Sequence, residues 1–313
     1  MFIEDLNNKT KPEIEEIRYS ESPPRLFFGD TKPNQEKLIL YNDLVLEYRN
    51  DTSVCLSSRE TNWIDLNDLK PISTNVTNLS LHTFKHKPQF SNLDGIEHFK
   101  KLKRISFVYC YSNKIDLNLL NTCTELEYLG LENSITKNHH LAINKLKTLK
   151  ELSIKGLDIS QLEVLPKMEF LYVLSLKNPN RLAEKMPNLK TLCIHNSSKI
   201  LNLDFLQSLP KIERITLDSL SNVEKIPNLE NNKTLKSFSI MNFKRLKEIS
   251  KFNSQLEGLR IGHNVPELNI NGMNMVTPEN LPNLKNINVK LSHKEKSETI
   301  LNSFRQKGIE IKY

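Results

Sequence analysis

The stretch Pro187-Asn188-Leu189-Lys190-Thr191-Leu192-Cys193-Ile194 decides the fold, because its last six residues follow the pattern L-x-x-L-x-L. Polar and apolar residues alternate along it, which is typical of a β-strand with one buried face. With Ile, Val or Phe allowed, the unit occurs ten times at intervals of 18 to 28 residues, beginning at Val76, Leu102, Leu126, Leu149, Leu171, Leu189, Ile212, Leu235, Leu256 and Leu284. One unit cannot bury its apolar residues alone, so the pattern predicts stacked strand-plus-turn units.

The segments between these strands must return the chain to the start of the next one. Residues 114–123, 137–146 and 199–209 carry apolar residues at helical spacing and predict short helices. Residues 177–181 have room only for a turn or a 3₁₀ segment. Asparagine follows four predicted strands, at Asn133, Asn178, Asn196 and Asn242. An asparagine side chain can hydrogen-bond the backbone of a turn, which favours a structural role.

Together, the repeats over residues 64–291 resemble the leucine-rich-repeat family, in a bacterial-looking variety with irregular repeat length. The resemblance implies an α/β fold: a leucine-rich-repeat solenoid with about ten parallel strands on the concave face and short helices and turns on the convex face. The chain departs from the family pattern three residues after the last strand leucine, where only Cys110 and Asn264 provide the usual Cys or Asn. The resemblance therefore gives little support to an asparagine ladder.

Both ends of such a stack expose apolar edges and need caps. Residues 292–313 predict a C-terminal helix-plus-strand cap. Its helix is expected over 294–306, where apolar residues have helical spacing, and Gly308 stands where a helix-terminating glycine belongs. The alternating residues 309–311 then predict a final strand.

Residues 1–63 do not fit the repeat and are interpreted as an N-terminal cap or a small β-containing module. Residues 38–40 and 44–46 flank Tyr41-Asn42-Asp43 and predict a β-hairpin. Residues 54–56 predict a further strand. Trp63 is expected to pack where this segment meets the first repeat.

Charge is unevenly distributed along the chain. The net charge is +7, yet residues 1–60 hold 12 acidic and 8 basic side chains. A basic body raises the question of nucleic acid, but the lysines are scattered singly. The N-terminus has neither the basic nor the apolar segment of a signal peptide, and no apolar run is long enough to span a membrane. A cytoplasmic protein is expected.

Enzyme motifs are absent from the sequence, so neither catalysis nor a cofactor, metal or small-molecule substrate is expected. His139 and His140 are interpreted as surface residues, because further metal ligands at suitable spacing are lacking. Cys193 and His195 lie on one exposed strand face, but no orienting acid is adjacent in sequence.

Residues that alternate with the buried leucines should line the concave face. The central column predicted from the repeats is mostly small: Ser80, Ser106, Gly130, Ser153, Ser175, Cys193, Thr216, Ser239, Arg260 and Asn288. Either close-packed strands favour compact residues here, or the column is a shallow trough whose flanks supply the contacts; the sequence leaves both open. The predicted partner-binding residues, all on or near the flanks, are Arg104, Tyr109, Tyr128, Glu132, Lys155, Lys177, His195, Arg214, Asp218 and Met241.

Mixed charge with interspersed tyrosine and arginine is typical of protein interfaces. A nucleic-acid site would have more continuous basic character with stacking aromatics. The sequence therefore predicts a non-catalytic scaffold that binds a partner protein through the concave face, as an inhibitor or immunity-type protein. The alternative is nucleic-acid binding by the basic surface.

Overall fold

The computed structural model describes residues 2–3, 6–28, 32–49, 51–58, 65–83, 92–108, 114–262, 264–291 and 294–311. The chain divides into two compact units, residues 1–154 (unit 1) and residues 155–313 (unit 2). Trp63 and Tyr109, for which the sequence predicts a packing role and a partner-binding role, lie outside the described residues.

Unit 1 is built on a parallel sheet whose strands follow one another in chain order. The strands are β1 Phe2–Ile3, β2 Arg25–Phe28, β3 Ser53–Ser58, β4 Asn78–Thr83, β5 Arg104–Val108, β6 Tyr128–Ser134 and β7 Glu151–Lys155, which ends at the unit boundary. Its helices are α1 Lys11–Glu16, α2 Gln35–Tyr41, α3 Lys70–Ser73 and α4 Lys137–Lys145, with a π-helical turn at Asn42–Leu46. Single 3₁₀ segments are Leu6–Asn8, Ile17–Tyr19, Leu66–Leu69, Ile96–His98 and Leu117–Thr122.

Unit 2 repeats this arrangement. Its strands are β8 Phe170–Leu174, β9 Thr191–His195, β10 Arg214–Asp218, β11 Lys225–Ile226, β12 Ser237–Met241, β13 Glu248–Ile249, β14 Gly258–Gly262, β15 Asn286–Val289 and β16 Glu310–Ile311. The strands β11 and β13 pair in a separate parallel two-stranded sheet on the return path. The helices are α5 Leu182–Lys185 and α6 Lys294–Arg305, with 3₁₀ segments at Ile159–Gln161, Pro179–Arg181, Asp204–Ser208 and Asn271–Met273.

The ten strands predicted from the repeats are all present, as β4 to β10, β12, β14 and β15. In each, the second and fourth residues are buried, as Leu192 and Ile194 are in β9. The leading leucine of that repeat, Leu189, is buried beside them. Each coil therefore contributes three aliphatic side chains to a row that only its neighbours in the stack can cover.

One repeat is out of register with its prediction. In β8, Leu171 and Val173 are buried and pair with Leu192 and Ile194 of β9. The unit therefore begins at Met168, three residues before Leu171. Met168 is fully buried in the leading position, and an unbranched, polarizable side chain can fill that space as leucine does. In consequence, Ser175 follows the strand and does not lie in the central column as predicted.

The predicted N-terminal hairpin was also wrong. Its two arms belong to α2 and to the π-helical turn that follows it. Leu38, Tyr41 and Val45 are fully buried at spacings of three and four residues, which is the period of a helix. Asn34 caps α2 by accepting a hydrogen bond from the Lys37 backbone N–H at 3.2 Å. The predicted strand over 54–56 is confirmed as β3 and pairs in parallel with β4.

The helix and the strand predicted at the C-terminus are both present. The helix α6 spans Lys294–Arg305, Gly308 has a φ of +75°, and β16 pairs in parallel with β15. Of the three connecting segments predicted as helices, 137–146 forms α4, whereas 114–123 and 199–209 form tighter 3₁₀ segments.

Left-handed residues follow the strands of unit 2. Asn196 and Asn242 have φ of +49° and +58°, and Gly156, Ser175 and Ser219 have the same conformation at the equivalent positions. The backbone N–H groups of Gly156, Ser175, Asn196 and Ser219 each donate to the carbonyl of the last residue in the strand of the next coil. The bond from Asn196 to the Asp218 carbonyl, for example, is 3.0 Å long. Asn178, Asn196 and Asn242 thus have the backbone conformation of turn residues. The predicted bond from the side chain to the turn backbone is not what Asn242 makes, because its amide donates to the Asp218 carboxylate, 2.7 Å away.

A short asparagine ladder exists, three residues before the leading apolar residue of two repeats. The Asn253 side-chain amide donates to the Asn232 and Leu235 carbonyls at 2.8 and 3.0 Å. The Asn232 amide donates to the Leu206 and Leu209 carbonyls at 2.9 and 3.2 Å. Both side chains are buried, so these bonds satisfy backbone oxygens that strand pairing does not reach.

Candidate functional site

The candidate site is the open face of each sheet, defined as the face that bears the residues alternating with the buried aliphatic ones. Parallel pairing aligns these residues into columns across neighbouring strands. In unit 1 the column at the first strand position contains Arg25, Ser53, Asn78, Arg104 and Tyr128. The next column contains Cys55, Ser80, Ser106 and Gly130.

Arg104 is held in place by two neighbours on the open face of unit 1. Its guanidinium carbon lies 4.0 Å from the centre of the Tyr128 ring, and its Nη2 lies 2.9 Å from Glu151 Oε2. Ring stacking and the ion pair together restrict a side chain that remains 44% exposed. The sequence predicted Arg104 and Tyr128 as separate contacts, and the structure brings them together.

Gly130 makes room for this arrangement. A Cβ atom built on Gly130 would lie 2.8 Å from the Tyr128 hydroxyl oxygen and 3.1 Å from Ser106 Cβ. The tyrosine ring can therefore lie across the face only because residue 130 has no side chain. The absence of a side chain at Gly130 thus determines where the Tyr128 ring lies.

Beside Arg104 is a cavity of about 430 Å³. Its floor is formed by small side chains, among them Cys55, Ser80 and Ser106, and its walls include Arg25, Arg104 and Tyr128. The Ser106 hydroxyl donates to the Ser80 hydroxyl at 3.0 Å. The sequence left open whether the small central residues reflect close strand packing or a shallow trough. In this part of the central column they form the floor of a trough.

Two further predicted residues lie at the fifth position of their strands. Glu132 is half-buried in β6, and burial raises the pKa of its carboxyl, an effect that His82 opposes. Lys155 is exposed at the end of β7. Both are on the open face, in a column separate from Arg104.

In unit 2, His195 and Asp218 form the most closely linked pair of predicted residues. His195 Nδ1 lies 3.4 Å from Asp218 Oδ2, and the His195 ring centre lies 4.8 Å from that of Tyr172. Burial raises the pKa of Asp218, but hydrogen bonds from Asn242 and Ser219 and the nearby His195 together lower it below its usual value. A half-buried anion therefore sits among fixed donors on this face.

The other predicted residues of unit 2 are more dispersed. Met241 pairs with Asp218 in register and continues the same column, and Arg214 is exposed at the first position of β10. Lys177 is exposed but lies beyond the end of β8, where its backbone N–H donates to the Leu157 carbonyl at 2.9 Å. Its predicted place in a strand column was wrong, because the register of β8 differs by three residues.

Cys193 and His195 now have an acid nearby, since β10 brings Asp218 to His195. Burial raises the pKa of the Cys193 thiol, against a smaller lowering by its hydrogen bond with Thr216. A nucleophilic cysteine needs a lowered pKa. The pKa of the Cys193 thiol is raised instead, so this cysteine is not activated as a nucleophile.

The interpretation of His139 and His140 as surface residues was wrong. They are 1% and 3% exposed, in α4. The Thr136 backbone N–H donates to His139 Nδ1 at 3.3 Å, so Nε2 carries the proton and donates to the Ile115 carbonyl at 3.2 Å. Within the described ranges, no group of three or more His, Cys, Asp or Glu residues could hold a metal ion.

Charges alternate at the position directly before nine strands, β5 to β10, β12, β14 and β15, and these nine positions are here called the charge column. It comprises Lys103, Glu127 and Lys150 in unit 1, and Glu169, Lys190, Glu213, Lys236, Glu257 and Lys285 in unit 2. Three ion pairs join neighbours within a unit, at 2.7 Å for Lys150–Glu127 and Lys285–Glu257 and at 2.9 Å for Lys190–Glu169. The positive charges of Lys150, Lys190 and Lys285 are thus balanced by neighbouring carboxylates.

An aromatic cluster lies away from the open face. Tyr19 and Tyr48 are 69% and 67% exposed, and the Arg18 guanidinium carbon lies 4.5 and 5.3 Å from their ring centres. It is a rival contact surface that the sequence did not suggest, because Tyr19 and Tyr48 come together only through the fold.

Sequence reasoning missed Arg25 and Tyr172. Tyr172 is aligned with Cys193 in the central column of unit 2. The signal was present, because Leu165-Pro166-Lys167 before Met168 matches Leu209-Pro210-Lys211 before Ile212. Arg25 carries no such signal, since β2 lies outside the repeats.

No helix in the described part of the chain is both long and apolar enough to cross a membrane.

No family model matches the chain, and no curated protein matches it in sequence. Among solved structures it is similar to a chain of the Drosophila Toll–Spatzle complex, with 12% identity over 95% of this chain and 41% of that chain, and a TM-score of 0.56. It therefore spans about two fifths of the length of that chain. It is also similar to a Leptospira interrogans leucine-rich-repeat protein, with 19% identity over 92% of this chain and 89% of that one, at a TM-score of 0.43. The repeated strands and the similarity to a chain of the Toll–Spatzle complex agree: this chain has a leucine-rich-repeat fold.

Proposed function

We propose that the chain is a non-catalytic scaffold that binds a partner protein through the open face of its sheets. The observation that carries the proposal is Arg104, fixed between Tyr128 and Glu151 at the edge of a cavity. Arginine and tyrosine are the residues most often found at the energetic centre of protein interfaces. A side chain that is already ordered loses less conformational entropy on binding.

A protein partner fits this face better than a nucleic acid does. The open face mixes Arg104, Arg214 and Lys155 with Glu132 and Asp218, and the charge column beside it alternates in sign. A phosphate backbone would meet carboxylates at regular intervals along either path. The fold similarity to a chain of the Toll–Spatzle complex, which is itself a complex of two proteins, supports the same choice.

The finer role that we propose is inhibition or neutralisation of the partner, as in an immunity-type protein of the bacterial cytoplasm. An open face on which burial raises the pKa of the Cys55 and Cys193 thiols suits a protein that blocks another by covering it. A toxin or secretion gene beside the gene for this chain would support this role, and a neighbourhood without either would count against it.

Capture of proteins from the native organism tests the proposal. The tagged wild-type chain is compared with a variant carrying Tyr128→Ala and Tyr172→Ala, and calorimetry then measures the affinity for any protein that the wild type retains. We expect the double variant to bind at least about 10-fold more weakly, because each tyrosine is a candidate hot spot. Circular dichroism checks that the variant is folded.

The matched control carries Lys244→Ala and Arg245→Ala, two exposed residues that follow β12 on the return path. It should bind as the wild type does. Equal affinity of the tyrosine variant and the wild type would place the contact elsewhere and contradict the proposal. Charge reversal at Lys155 and Arg214 then shows whether the contact extends into unit 2.

A further inference from the structure

The cavity on the open face of unit 1 has two arginines as opposite walls. Arg25, Ser53, Asn78 and Arg104 occupy one column on four successive strands, so two short polar residues separate two long cations. At the usual strand spacing, the Cα atoms of the two arginines are about 14 Å apart. Both side chains line the same cavity of about 430 Å³.

The floor between the arginines carries hydrogen-bonding groups. Asn78 Nδ2 donates to the Ser53 hydroxyl at 3.3 Å, and the Ser106 hydroxyl donates to the Ser80 hydroxyl at 3.0 Å. Hydroxyl groups can rotate to donate to an incoming anion. The volume lies in the range of ordinary ligand sites, so one side chain and its flanking backbone can enter.

The charged side chains that line the cavity favour an anion. Arg25 and Arg104 both line it, and Glu151 is ion-paired to Arg104 at 2.9 Å. Counted over these three side chains alone the charge is +1, which suits a singly charged carboxylate better than a doubly charged phosphate group. Glu151 contacts Nη2 of Arg104, and the Tyr128 ring covers one face of the guanidinium, so its other N–H groups are oriented but not consumed by these two contacts.

We propose that this cavity binds the side-chain carboxylate of an acidic residue on the partner protein, between Arg25 and Arg104. The inference rests on the proposed function, because it names the chemistry that the partner presents to this part of the open face. It also assigns a role to Arg25.

A single carboxylate tests the site without the partner. The probe is N-acetyl-glutamate N-methylamide, whose only charge is its side chain, and the neutral control is N-acetyl-glutamine N-methylamide. Each is titrated into the full chain while the arginine side-chain Nε–Hε signals are followed by NMR, with Arg25→Gln and Arg104→Gln variants to assign them. We expect saturable shifts of both arginine signals with the glutamate compound only, and no shift of the exposed Arg245.

Either substitution removes one positive charge and should weaken binding of the glutamate compound at least about 5-fold. The control variant Lys244→Met with Arg245→Met removes two positive charges elsewhere and should leave the binding unchanged. Equal shifts with both compounds, or equal weakening by the control variant, would overturn the proposal. Stronger binding of inorganic phosphate than of the glutamate compound would also overturn it, in favour of a phosphate-bearing ligand. If the glutamate compound binds here but the tyrosine substitutions leave partner capture unchanged, the proposed function fails while the carboxylate site stands. If neither arginine NMR signal shifts, the carboxylate site fails and the capture result is unaffected.

Discussion

At the scale of single residues, the chain uses small side chains to position large ones. Gly130 lets the Tyr128 ring lie across the sheet, and that ring in turn supports Arg104. The sequence identified all three positions, because strand alternation determines which residues share a face. It could not predict the stacking, which depends on side-chain direction across neighbouring coils.

His139 predicts a dependence of stability on pH. Burial lowers its pKa below 6.5, more than the hydrogen bond with Ile115 raises it. Its contribution is therefore complete above pH 6.5, the unfolded value, and is lost as pH falls toward the folded value. We expect the free energy of unfolding in urea to decrease between pH 7.5 and pH 5.

The variant His139→Asn isolates this effect, because its amide oxygen can still accept the Thr136 backbone N–H. It should cost about 1 kcal/mol at pH 7.5 and make the pH dependence shallower. An unchanged slope in His139→Asn would show that other groups cause the pH dependence.

Asn253 should be among the most costly polar residues to replace. Its amide donates to two carbonyls and its oxygen accepts the Gln255 backbone N–H at 2.7 Å, all in a fully buried position. Asn253→Ala removes all three hydrogen bonds from a buried position and should destabilise the chain by about 2–4 kcal/mol. Asn231→Ala, at an exposed position, should change the urea midpoint little, and a similar loss in both variants would refute a ladder role.

At the scale of elements, the repeats predicted the strands but not every register. All ten strands were identified because aliphatic residues at L-x-x-L-x-L spacing leave one arrangement that buries them. The unit of β8 was displaced because Leu174-Ser175-Leu176 extends the apolar pattern and the true leading residue is Met168. The N-terminal coils were harder to predict, since residues 38–46 contain two short apolar runs around Asn42-Asp43 that also fit helical spacing. Tertiary packing decided for the helix.

Gly272 tests how closely the return segments of unit 2 pack. A Cβ atom at this residue would lie 1.9 Å from the Lys247 carbonyl oxygen, which is backbone and cannot turn aside. We expect Gly272→Ala to destabilise the chain by about 2–3 kcal/mol in urea unfolding. Gly258→Ala, where the nearest atom is the Asn286 side-chain oxygen at 3.3 Å, should cost much less. Equal effects would mean that the return segments adjust freely.

At the scale of the whole molecule, a net charge of +7 overstates how basic the surfaces are. The charge column and return-path pairs such as Lys225–Glu248 at 2.7 Å place carboxylates beside many lysines. Each pair contributes little to stability, but together they remove continuous tracks of positive charge. The alternation was visible in the sequence and becomes meaningful once stacking aligns the positions.

The chain should therefore not bind single-stranded nucleic acid at ordinary ionic strength. In a gel-shift titration with a 20-nucleotide DNA and RNA at about 0.15 M salt, we expect no complex, because few phosphates can be neutralised at once. A complex whose affinity falls steeply with added salt would revive the alternative function.

Site-specific photo-crosslinking in the native organism tests the central claim most directly. A benzophenone side chain is placed at Thr191 or Arg214 on the open face of unit 2, at Asn78 on that of unit 1, or at Tyr48 and Lys244 away from both. We expect a crosslinked partner protein of one mass from the open-face positions and none from Tyr48 or Lys244. A partner that crosslinks from Tyr48 or Lys244 and not from any open-face position would contradict it.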